Sequence, residues 1–198
     1  MMAMLKRALL VLCLAAVLPL EDGAAQEHPL LAGIRLAQTQ FNGWRYGNHM
    51  HRRQINCVQF VAAVVQDLVG RELTVEEQRS ILINNIGRLK MLNRLVPRND
   101  KRIRGVQTAL LEMGVGQIVS TEEAQPGDFV QYWRRRKSGW RGHAALIVDI
   151  ERGNGRACAR LLGAHQTLKR VGIGNFYVEL NDPDLKIFIV RFSKKSTS

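Results

Sequence analysis

Two hydrophobic periodicities meet at Gly114, and their order along the chain limits the fold to one broad class. Before that glycine, apolar residues recur at helical spacing. The pattern predicts a helix over residues 30–41. A second runs from Cys57 towards Leu68 and ends near Gly70, with Phe60, Val61, Val64, Val65 and Leu68 on its core face. Asn56 is placed to cap that helix, and Thr74 with Glu77 forms a capping box for a third helix reaching about Ile86. A basic stretch between Arg88 and Arg104 is broken at Pro97, and Val106–Met113 forms a short amphipathic helix. Beyond Gly114 the spacing becomes that of strands, predicted at 129–133, 143–150, 157–165, 176–180 and 186–192. Gly-Asn-Gly within 152–155 marks a tight hairpin. Helices followed by an antiparallel sheet indicate an α+β domain.

The N-terminus reads as an export signal. Lys6 and Arg7 precede an apolar run from Ala8 to Leu20, and small residues follow at Gly23 and Ala25. The run is far short of the ~20 residues a membrane span requires. Residues 1–25 are therefore expected to be a signal peptide, and 26–198 one domain, with a fraying tail from Ser193. The destination is periplasmic or secreted, with no stable membrane insertion after signal removal. Cys13 follows Leu12 instead of the small residue that a lipidation site needs.

The formal charge is +12 and the pI about 10.4. On an exported protein such a surface suits an anionic cell-wall polymer or an anionic membrane face. Zinc-finger spacing, an RNP-like aromatic strand and a recognition helix are all missing, so nucleic acid is not an expected partner. His49 and His51 lack further ligands nearby in sequence, and His28 stands alone. Neither a metal nor another cofactor is expected. The sequence does not speak to oligomeric state.

Two residues carry the chemistry. Cys57 opens a helix in the frame I-N-C-V-Q-F-V, and His143 starts a strand in G-H-A-A-L-I-V. A helix N-terminus favours thiolate, and an imidazole can take and return a proton; together they are the parts of a cysteine hydrolase. The thiol is expected below its ordinary value of about 8.5 and to alkylate readily. Cys158 and His165 stand seven apart on one predicted strand and should face opposite ways, so Cys158 should react slowly. A strand bulge would instead permit a Cys57–Cys158 disulfide.

The motifs W-R-Y-G (Trp44–Gly47), N-C-V-Q-F-V, P-G-D-F-V-Q-Y (from Pro126) and H-A-A-L-I-V follow one another in the order found in NlpC-type cysteine peptidases. Between Trp44 and His165 the chain resembles these papain-like cell-wall hydrolases and their CHAP-like cousins. It departs at Asn56, where the family has Asp, and at Val58-Gln59, where it has Ser-Gly. The resemblance implies a papain-like fold with the nucleophile helix on an antiparallel sheet, and cleavage of peptidoglycan amides through an acyl-thioester. It implies Cys57 as nucleophile, His143 as base and His165 as the orienting residue, with Gln166 as alternative. Tyr46 would assist the oxyanion beside the Cys57 N–H, while Trp44 would either donate from its indole N–H or only pack. The basic segment Arg134–Arg141 would border the cleft. Two alternatives stay open: an inactive cell-wall-binding module of the same fold, and a secreted antibacterial effector amidase. Whether a D-glutamyl–diamino acid link or a muramoyl–alanine amide is cut is also open.

Overall fold

A computed structural model describes residues 27–84, 86, 89–168 and 172–193. The expected signal peptide and the tail beyond Ser193 lie outside the described residues. The helices are α1 (Pro29–Gln38), α2 (Cys57–Val69), α3 (Val75–Leu82), α4 (Leu92–Leu95) and α5 (Val106–Glu112). The strands are β1 (Arg45–Tyr46), β2 (Gln54–Ile55), β3 (Gly116–Val119), β4 (Phe129–Arg136), β5 (Gly139–Gly153), β6 (Arg156–Ala164), β7 (Ile173–Glu179) and β8 (Leu185–Phe192). β1 and β2 form a small parallel pair. The other six make one antiparallel sheet in the order β3-β8-β4-β5-β6-β7. This is an α+β fold with α2 packed on an antiparallel sheet.

Strand alternation divides the sheet into two apolar faces. Phe129, Ala144, Leu146, Leu162 and Val190 point towards Phe60, Val61, Val64 and Val65 of α2 and form the helix–sheet core. Val130, Tyr132, Ala145, Ile147, Leu161, Val178 and Ile189 point the other way, and all six strands contribute to that second cluster without any helix. Ala124 and Leu180, from the segments beside the strands, join that cluster. A third cluster packs Ile83, Ile86, Leu95 and Ile103 against Trp133 and Phe188. Each buried aliphatic side chain in these layers contributes about 1.5–3 kcal/mol relative to exposure.

Several boundaries differ from the sequence expectations for physical reasons. α1 stops at Gln38, and Phe41 turns inward against the rings of Trp44 and Phe60. α3 stops at Leu82, because Ile83 takes a left-handed φ of 56°. That bend brings Ile83 and Ile86 into the third cluster. β3 was not expected; four residues pair it to β8. His143 is not at a strand start: Arg134–Arg136 pair with Gly139–Arg141, so β5 begins four residues earlier. The Asn154-Gly155 turn is as expected, with φ of 50° and 72°, the two positive values that a type I′ hairpin needs. In the P-G-D segment, Asp128 is buried. It accepts from the Gln125 N–H at 2.9 Å and pairs with Arg191 at 2.8 Å, tying the turn to β8.

Candidate active site

The N-terminus of α2 is held by reciprocal hydrogen bonds. The Asn56 side chain accepts from the Gln59 N–H at 2.9 Å, and the Gln59 side chain accepts from the Asn56 N–H at 3.0 Å. Asn56 also donates to Asn48 Oδ1 at 2.9 Å. The residues that depart from the NlpC-type pattern, Asn56 and Gln59, thus build a capping box directly around Cys57.

Cys57 is the first residue of α2 and is only 8% exposed. Burial pushes its thiol up. Backbone N–H groups of Ala144, Val58 and Cys57 itself pull the other way, and burial outweighs them. The expectation of a lowered thiol pKa is therefore corrected: the helix end supplies donors, but the apolar surroundings of the charge dominate. The Ala144 contact also locates the sulfur. The β5–β6 register begins at Leu146–Leu162, so Ala144 lies just past the paired part, beside His143.

His143 is 7% exposed. It stands opposite Tyr132 on β4, with ring centroids 5.5 Å apart. Phe176 of β7 meets the imidazole edge-on at 4.8 Å. Burial, with His165 a smaller contributor, pushes His143 down to about 3, so the ring is neutral at ordinary pH. Its Nε2 is buried without a hydrogen-bond partner among the described residues.

His165 follows the last residue of β6. Its ring lies 4.7 Å from that of His143, edge to face, and stacks on Phe176 at 4.6 Å. Its Nδ1 accepts from the Thr167 N–H at 3.1 Å and lies 2.6 Å from Thr167 Oγ1, which leaves the ring proton of the neutral form on Nε2. Burial also lowers His165. The two histidines meet through their rings; no hydrogen bond joins them, nor Cys57 to His143, among the described residues.

Tyr46, Cys57, His143, His165 and Gln166 all line one cleft of about 1400 Å³. Tyr46 is half-buried, and its hydroxyl is raised by burial and by Cys57. Gln166 is exposed on the rim. Trp44 does not line the cleft. Its ring packs edge-on against Phe41 at 5.1 Å, so of the two roles expected for it, oxyanion donor and packing residue, the structure has the second. Cys57 and Cys158 are both free thiols, so the disulfide reading is not realised. Among the described residues no group of three or more His, Cys, Asp or Glu is arranged to hold a metal ion. No helix among them is long and apolar enough to cross a membrane.

Sequence reasoning missed Tyr132, Phe176 and Gln131. Tyr132 was within reach, because the strand after P-G-D alternates and its partner strand carries His143. Phe176 needed the β6–β7 register, in which it stands opposite Leu161. Gln131 lines the cleft at 1% exposure with its Oε1 unpartnered.

No protein-family model matches the sequence, and neither does any curated protein.

Proposed function

We propose that the chain is an exported papain-like cysteine hydrolase that cleaves amide bonds of peptidoglycan peptides. The observation carrying this reading is the cleft shared by a helix-N-terminal cysteine and a buried, neutral histidine. In the resting state thiol and imidazole are both neutral, since burial disfavours either charge alone. As Cys57 Sγ attacks the amide carbonyl, its proton passes to His143, so the charged pair arises together. The N–H groups of Cys57 and Val58, which favour the thiolate, are the proposed oxyanion donors. His143 then protonates the leaving amine. Water, deprotonated by the same imidazole, hydrolyses the acyl-thioester. His165 orients the ring by edge-to-face contact, and Tyr46 flanks the sulfur.

The test is release of new amine ends from purified cell wall by the wild-type protein, Cys57→Ser and His143→Gln. Both variants are expected to lose activity by at least about a hundredfold. Equal activity in Cys57→Ser would remove the thiol mechanism. Burial of Cys57 favours one second reading, an inactive cell-wall-binding module of the same fold. Wall binding without any turnover by the wild type would establish it.

A further inference from the structure

The cleft carries charge of one sign. Arg134, Arg136 and Arg141 line it, and no carboxylate does among the described residues. The β4–β5 register places Arg134 directly across from Arg141, and Tyr132 across from His143. Residues two apart on a strand share a face, so Arg134, Arg136 and Arg141 project on the side that carries His143. The spacing forms a ruler. Arg141 and Arg134 stand about 7 Å along the strands from His143, and Arg136 about 7 Å farther.

These guanidiniums are not equivalent. Arg134 is neutralised by Asp182 at 2.7 Å. Arg136 and Arg141 are exposed and have no ion pair among the described residues. Like charges facing each other across an antiparallel ladder cost stability. Asp182 relieves one member of the Arg134–Arg141 pair, and an anion in the cleft would relieve the other.

We infer that Arg141, backed by Arg136, is the specificity element of this cleft and binds a free carboxylate of the peptide substrate. This rests on the hydrolase reading for the position of the scissile bond. With a backbone spacing of about 7 Å and a side chain of similar reach, Arg141 puts that carboxylate within a few residues of the bond. A planar guanidinium matches a carboxylate through two parallel hydrogen bonds, a geometry that a carboxamide cannot reproduce. The substrate class is thus an acidic peptide whose carboxyl group is left unamidated.

The test uses two stem-like peptides identical except for one carboxylate, which is free in the first and a carboxamide in the second. Each is titrated calorimetrically onto the full chain carrying Cys57→Ala, so that no turnover intervenes. The acidic peptide should bind about tenfold tighter, and Arg141→Gln should erase most of that difference. Arg136→Gln should reduce it in part. Arg156→Gln, at the far end of the β5–β6 hairpin, should leave it intact. Equal binding of the two peptides, or discrimination that survives both Arg136→Gln and Arg141→Gln, would overturn the inference. Turnover by the wild-type chain is scored separately. Discrimination without turnover would refute the hydrolase and leave the carboxylate site standing.

Discussion

At Cys57 two opposing effects meet, and their balance decides how the thiol behaves. Three backbone N–H groups favour thiolate, while near-complete burial favours thiol and dominates. In the folded protein iodoacetamide should therefore modify the half-buried Cys158 before Cys57, the reverse of the order suggested by helix-end chemistry alone. Mass spectrometry of the partly alkylated chain reads that order directly. His143 makes a second prediction about pH. Its ordinary value is 6.5 and the fold holds it at about 3, so the unfolded chain binds a proton that the folded chain refuses. Stability is present above about pH 6.5 and is lost as pH falls towards 3. His165 is lowered too and acts in the same direction. Thermal melts of wild type and His143→Phe, compared from pH 7 to pH 4, should show the wild type losing stability faster. Parallel curves would mean that His143 is not the proton acceptor.

The N-terminal turn of α2 is built by side chains that the proposed mechanism does not use. Asn56 and Gln59 exchange hydrogen bonds, and Asn56 reaches Asn48 in the loop between β1 and β2. Asn56→Ala should lower stability by about 1 kcal/mol in urea denaturation. On the hydrolase reading it should also slow turnover, because Cys57 is the next residue. Unchanged stability would mean that water replaces the cap without cost. A glycine on β5 has a comparable supporting task. A Cβ at Gly142 would come within 2.7 Å of the Trp133 ring, which lies across the strand and donates to Ile103 O at 2.7 Å. Gly142 thus lets Trp133 tie the segment around Ile103 to the sheet beside His143.

Taken together, the fold is two apolar layers on an antiparallel sheet, with the cleft beside the point where β5 and β6 part. On the proposed function, its net charge of +12 would make association with an anionic wall largely electrostatic. Binding to purified wall should fall steeply as salt rises from 0.02 to 0.5 M, since the screening length is already about 10 Å at 0.1 M. Flat binding across that range, in a pull-down with unlabelled wall, would assign affinity to short-range contacts instead.

Local rules were sufficient for the order of helices and strands, the Thr74 capping box, the Gly70 helix end and the Asn154-Gly155 turn. Each depends on residues within a few positions of one another, so propensity and hydrogen-bonding capacity along the chain specify them. Motif order also singled out Cys57 and His143, and both line one cleft. What lay beyond the sequence depends on contacts between distant segments. Ile83 ends α3 early because Trp133 and Phe188 offer it a buried site. Trp44 leaves the cleft because Phe41 turns in beneath it. The protonation of Cys57 and His143 is set by how deeply the helix–sheet contact encloses them, which no local pattern encodes. The arginine ruler likewise exists only through the β4–β5 register. Solvation and register are properties of packed neighbours, and packing decides them only after the chain has closed on itself.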